Sequence, residues 1–206
     1  MTSNKSVAFL QRNPRFARLI KKYGMPDFNR GATTPFRALV RAIIHQQVST
    51  AAANSIFKKF VTLFGKFPTP GMVSAISIDK LRTAGLSRQK ASYLKDLAQK
   101  FSDGTIKHRS LKRMTSEEVV EHLIQIKGIG VWSVHMFLIF TLNRPDVLPT
   151  GDLGIRKGFQ RVYRLKNLPD HSHMEKLAIP WRTHASTASW YFWQEANDLK
   201  KRPTSD

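Results

Sequence analysis

The sequence contains no cysteine and little acid. Among 206 residues there are only 14 Asp and Glu, against 34 Lys and Arg. The absence of cysteine excludes a disulfide framework, a thiol nucleophile, thiolate-bound zinc and an iron–sulfur cluster. The shortage of acid leaves a formal net charge of +20, too large to be incidental. Such an excess points to a polyanionic partner, most simply nucleic acid. Long apolar runs are also missing. None approaches the roughly 20 residues that span a bilayer, and the opening MTSNKSVAFLQRNPRF has no long apolar stretch of the kind a secretory signal needs. Together these absences predict a soluble, intracellular protein with no membrane partner.

Alternating apolar and polar runs between hairpin turns are scarce as well, which argues against strands. The apolar period is helical instead. Phe36, Leu39, Val40, Ile43 and Ile44 recur at three- and four-residue intervals, as do Leu94, Leu97, Ala98 and Phe101, and Ile155, Phe159 and Val162. Thr115 and Glu118 have the spacing of a capping box, Ser77 and Ser87 are candidate N-caps, and Gly85 is placed to end the short segment before it. The predicted class is all-α, with roughly ten short helices if ordinary helix and loop lengths apply. The 13 Phe and 4 Trp argue for a packed globular body. No linker interrupts residues 1–206, which read as a single compact unit, and the final KKRPTSD reads as a frayed tail.

The most informative stretch is residues 123–132, LIQIKGIGVW. One helix runs into Lys127, Gly128, Ile129 and Gly130, and a second leaves through Trp132, Met136 and Phe140. Two glycines around one apolar residue allow a tight turn with exposed backbone N–H groups. These donors stand at the positive end of the outgoing helix, where an anion is favoured. A nucleic-acid phosphate fits that place; an ordinary turn between helices would have the same glycines. Asp152 precedes the Ile155–Val162 segment and is placed as an N-cap. From the residues alone, capping is a sufficient reason for it.

Five blocks in fixed order resemble the helix-hairpin-helix DNA glycosylase superfamily, in its alkylbase branch with 3-methyladenine DNA glycosylase II and yeast relatives. They are PFRALVRAIIHQQVS (35–49), GLSRQKASYL (85–94), the hairpin, VLPTGDLGIRKG (147–158) and the aromatic stretch 181–193. Each is weak alone; together they are specific and cover most of residues 35–193.

The resemblance implies a two-lobed fold with a cleft between the lobes. The helix-hairpin-helix lobe would take about 35–145, and the second lobe about 1–34 plus 146–206. It implies that Asp152 corresponds to the catalytic Asp, which would stabilise the cationic sugar as a glycosidic bond breaks. Trp132 stands where strand-cutting relatives carry a lysine, so a lyase step through a Schiff base is excluded. Trp132, Met136 and His184 would line a base pocket. Gln46, Gln47, Val48 and Ser49 match the loop that fills the gap left by a flipped nucleotide. Lys127, Gly128, Ile129, Gly130, Arg156 and Lys157 are the further DNA-binding candidates. The implied partner is duplex DNA with a damaged or abasic nucleotide, bound by a monomer, in the nucleus. No cofactor is expected and no metal held by side chains; the spacing of His171, His173 and His184 fits no zinc pattern.

Several positions depart from the family pattern. The usual Asp-Asp-Leu-Gly reads Gly151-Asp152-Leu153-Gly154, so one acid is missing. In the C-terminal motif an aromatic is replaced by His184 and an arginine by Ala185. Loss of an aromatic wall weakens selection of an electron-poor alkylated purine, whereas the parts that hold DNA are retained. The departures therefore imply that recognition of damaged or abasic sites outlasts excision of alkylated bases. The alternative is an active monofunctional alkylpurine glycosylase that hydrolyses the N-glycosidic bond with Asp152.

Overall fold

The computed structural model of the chain describes residues 2–28 and 33–198. The segment KKRPTSD, read as a frayed tail, lies outside them. The described residues form helices and no strand: α1 (Thr2–Leu10), α2 (Pro14–Tyr23), α3 (Pro35–His45), α4 (Thr50–Thr62), α5 (Pro70–Ala75), α6 (Ile78–Arg82), α7 (Arg88–Ser102), α8 (Ser116–Leu123), α9 (Val131–Phe140), α10 (Leu153–Tyr163), α11 (His171–Ala178), a 3₁₀ turn (Ile179–His184) and α12 (Ala185–Asn197). None is long and apolar enough to cross a membrane. The chain divides into two compact units, residues 30–137 and residues 1–29 with 138–206.

Local chemistry sets most helix starts. Ser77 and Ser87 each accept a backbone N–H from the third helical residue, at 3.2 Å from Lys80 and 3.1 Å from Lys90. The Thr115 and Glu118 box is complete, each side chain bonding the other's backbone N–H. Such caps satisfy amides that the helix cannot, each contributing about 1 kcal/mol. Gly85 takes φ +92° just beyond α6 and donates its N–H to Arg82 O.

In the 30–137 unit, α3 turns Phe36, Leu39, Val40, Ile43 and Ile44 inward. It packs on α7, whose inward face is Ala91, Leu94, Leu97, Ala98 and Phe101. Phe36 and Phe101 meet at 5.3 Å between ring centroids. The periodicity read along the chain is therefore the buried stripe of two partner helices.

In the other unit, α10 lies against α12. Gly158 makes this approach possible: a Cβ there would stand 2.4 Å from Phe192 O and 2.6 Å from Phe192 Cβ. Phe159 stacks on Phe192 at 4.2 Å, and Trp181 and Phe16 close the same aromatic cluster. Trp181 Nε1 donates to Tyr163 Oη at 3.0 Å, so the buried indole is satisfied. At the rim, Glu195 accepts from Tyr23 Oη at 2.6 Å and Lys22 Nζ at 3.1 Å, with Arg161 at 3.7 Å. Burial alone would raise the Glu195 pKa, but these donors outweigh it and hold the carboxyl below the ordinary range.

Candidate functional site

In the 30–137 unit, α8 ends and the chain turns through Lys127–Gly130 into α9. Gly128 takes φ +80°, and a Cβ there would lie 2.1 Å from Tyr93 Cδ2. The position is closed to a side chain both by backbone sterics and by the Tyr93 ring. Gly130 is different: its φ is not in the left-handed region, and nothing lies within 4 Å of its Cβ direction. The two hairpin glycines, equivalent in the sequence reading, thus have unequal roles. Gly130 O accepts from Val134 N, which places Gly130 at the start of α9. The first amides of that helix precede its internal ladder. Ile129 is buried and serves as the hairpin's hydrophobic anchor, so its part in any DNA contact is confined to its backbone.

Two side chains of α7 that sequence reasoning passed over fix this region. Asp96 accepts the Lys127 N–H at 2.8 Å while paired with Lys100 at 2.7 Å. That leaves the Lys127 side chain exposed. Lys90 Nζ donates to two backbone carbonyls after α3, Ile44 O at 2.8 Å and Gln46 O at 2.6 Å. Burial pulls the Lys90 pKa below the ordinary lysine value. Lys90 falls within the 85–94 block, whose resemblance to the family holds for the block as a whole and assigns this lysine no role.

The loop held by Lys90 is the candidate gap filler. Gln46 turns its amide inward, donating from Nε2 to Gly128 O at 2.7 Å, and so ties the loop to the hairpin. Gln47 follows with φ +55° and an exposed side chain. A left-handed conformation costs a non-glycine residue about 1–2 kcal/mol. Val48 is exposed, and Ser49 caps α4 by accepting the Ala52 N–H at 3.3 Å. The four loop residues thus divide the work: Gln46 and Ser49 hold it, while Gln47 and Val48 face outward. On α9, Trp132 is 54% exposed. Met136, one turn later, is half-buried.

Asp152 belongs to the other unit. It caps α10, its Oδ1 accepting from Ile155 N at 2.9 Å. The same oxygen accepts from Trp193 Nε1 at 3.0 Å. Gly154 leaves room for this arrangement, since its Cβ direction points within 3.0 Å of Asp152 Oδ1 and 3.1 Å of Trp193 Cδ1. The Trp193 ring stacks on Phe140 at 6.1 Å, and Phe140 is half-buried against Phe28 as well. A carboxylate fixed by two N–H donors at a helix N-terminus is suited to oppose a positive charge that develops beside it.

His184 lies in the same unit at the end of the 3₁₀ turn. Its Nδ1 is 2.9 Å from Ser6 Oγ, and its ring rests 4.3 Å from that of Phe9. Burial lowers its pKa, so the neutral ring is favoured. Arg156, a candidate for the DNA track, donates from Nε to Pro169 O at 3.0 Å, while Lys157 is exposed.

Residues 40–183 match the family described as HhH-GPD superfamily base excision DNA repair protein. The chain is 37% identical over 186 residues to DNA-3-methyladenine glycosylase 1 of Schizosaccharomyces pombe, which spans 87% of this chain and 80% of the relative. It is 31% identical over 185 residues to the alkylbase DNA glycosidase-like protein mag2 of the same yeast, spanning 87% of each. Among solved structures, the S. pombe 3-methyladenine DNA glycosylase in complex with abasic DNA superposes with a TM-score of 0.77 at 34% identity, covering 92% of this chain and 95% of that one. A DNA-3-methyladenine glycosidase from Bacillus halodurans gives 0.83 at 27% identity, covering 94% and 89%.

Proposed function

The chain belongs to the HhH-GPD superfamily of base excision DNA repair proteins, and from that premise we propose that it recognises damaged or abasic sites in duplex DNA while excising alkylated bases weakly or not at all. In this reading Gln47 and Val48 enter the gap left by an extruded or missing base. The hairpin from Lys127 to Gly130 holds a backbone phosphate. Trp132 offers its exposed face to an extruded base, since stacking is how such bases are held. Arg156 and Lys157 contribute positive charge, and the protein acts as a monomer in the nucleus.

The observation that carries the reading is the loop after α3. Lys90 grips its carbonyls, Gln46 is latched to Gly128, and Gln47 is left exposed in a left-handed conformation. A loop shaped before DNA arrives offsets part of the few kcal/mol that unstacking costs. The relative solved on abasic DNA lends support from outside the chain.

His184 bears on the excision half of the proposal. Its ring is engaged by Ser6 and Phe9, where the family pattern has an aromatic wall. The second reading, an active monofunctional glycosylase, is favoured by Asp152, whose carboxylate is held as a charge-stabilising group requires. In that reading water is the nucleophile, because Trp132 provides no amine.

Equilibrium binding to a duplex with one abasic site, compared with the same duplex intact, tests the recognition half. Preference for the abasic duplex is expected. Equal affinity for both would reduce the protein to a general duplex-binding module.

A further inference from the structure

Beyond the hairpin and the Asp152 cap, the unit of residues 1–29 and 138–206 carries a separate concentration of positive charge. Arg15 and Arg18 on α2 and Arg164 at the end of α10 line a hollow of about 320 Å³ together with Pro14, Val162 and Tyr163. No acid lines it. Among the described residues none of the three guanidiniums has a carboxylate partner. The contrast lies on the same helix: Arg161, three residues before Arg164, reaches Glu195. Elsewhere in this unit cations do have acid partners, Lys22 with Glu195 and Asp198, and Arg182 with Glu175.

Arg15 is held in place. Its guanidinium lies 5.0 Å from the centroid of the Tyr163 ring. That ring is itself fixed, stacked on Phe159 at 5.6 Å and bonded through its hydroxyl to Trp181. Arg164 occupies φ +54°, ψ +44°, a left-handed helix end where glycine is the usual residue. Arg164 at this helix end thus lines the same hollow as Arg18 and as Arg15, which rests on an aromatic face, and no carboxylate of the described residues pairs with any of them. The guanidinium fork matches an oxyanion of tetrahedral geometry, above all phosphate.

We propose that Arg15, Arg18 and Arg164 form an auxiliary phosphate site that takes the backbone of a nucleic acid strand and is distinct from the lesion-recognition residues. Asp152 caps the opposite end of α10, and the eleven helical residues between them set the two about 18 Å apart along the axis. The site adds charge neutralisation without lesion preference. The choice of nucleic acid over a free phosphate ester rests on the proposed function, in which duplex DNA is the ligand.

The double variant Arg18→Gln, Arg164→Gly tests it. Glycine suits the backbone at 164, and Arg18 is exposed, so folding is expected to be retained, with thermal melts as the check. Affinity for intact and abasic duplexes is measured across salt concentrations. The log–log slope is expected to become shallower by about 0.9 for each phosphate that the variant no longer neutralises, with the abasic-to-intact ratio unchanged. An unchanged slope overturns the proposal, as does a loss confined to the abasic duplex. A parallel titration with inorganic pyrophosphate separates the sources. Pyrophosphate binding that the variant loses, with duplex slopes unaltered, rejects the nucleic acid backbone as the occupant. Duplex binding without abasic preference in the parent protein contradicts the proposed function, yet the slope comparison still decides the arginine site.

Discussion

Trp193 donates its indole N–H to Asp152 at 3.0 Å, on the same oxygen that caps α10. The carboxylate is thereby fixed from a backbone amide and from an aromatic ring 41 residues away. Trp193→Phe keeps an aromatic ring beside Phe140 and removes the N–H donor together with part of the indole's packing. A hydrogen bond to a charged acceptor contributes about 1.5–3 kcal/mol, so a loss in that range is expected in chemical denaturation. Asp152→Asn keeps the capping oxygen and loses less than Asp152→Ala, which gives up the cap at about 1 kcal/mol or more. Equal stability of all three variants and the parent would contradict the assigned bonds.

The two hairpin glycines are expected to separate on substitution. Gly128→Ala forces a Cβ into the Tyr93 ring at φ +80°, and strain of this kind costs about 1–3 kcal/mol. Gly130→Ala meets open space and is expected to cost under about 1 kcal/mol. Thermal melts check the order, and similar melting temperatures for both would refute it.

What the sequence disclosed, and what it did not, follows from the range of the interactions. Helix class, the Thr115 box, the Ser77 and Ser87 caps and the Asp152 cap were legible because each is settled within four residues. The apolar stripes of α3 and α7 were legible because burial imposes a period. The Trp193 bond, the Gln46 latch to Gly128 across 82 positions and the bond of His184 to Ser6 across 178 were not. Each depends on packing between distant segments, and nothing local distinguishes Trp193 from any other aromatic of a buried helix. Gly128 and Gly130 looked alike because the Tyr93 ring that separates them comes from α7. Gln46 and Gln47 likewise looked interchangeable until the backbone sent one inward and the other out.

Lys90→Met is expected to act on lesion preference. The substitution keeps an unbranched side chain and releases the carbonyls of Ile44 and Gln46. The abasic-to-intact affinity ratio should fall, with little change for intact duplex and an unaltered salt slope. A uniform loss on both duplexes would show that Lys90 supports the whole unit and does not specifically shape the loop. Gln47→Ala should lower the same ratio if the side chain fills the gap as proposed.

The Lys22, Tyr23 and Glu195 network predicts stability loss at both pH extremes. The Glu195 pKa lies below its ordinary value because the bonds from Tyr23 and Lys22 outweigh burial. Its contribution is therefore present above the unfolded carboxylate value and is lost as pH falls through the folded one. Lys22 is raised, burial being outweighed by its bonds to Asp198, Tyr23 and Glu195. Its contribution is present below the unfolded lysine value and is lost as pH rises through the folded one. Glu195→Gln should flatten the acid limb of a Tm–pH curve. An acid limb identical to the parent's would remove Glu195 from the account.

The central claim separates recognition from excision, and release of free base tests it most directly. Protein in excess over duplex DNA carrying labelled methylated purines is followed for free base, under conditions in which the abasic duplex is bound. The account predicts release little above spontaneous depurination. Rapid protein-dependent release, abolished by Asp152→Asn, would contradict it and establish the chain as a working glycosylase.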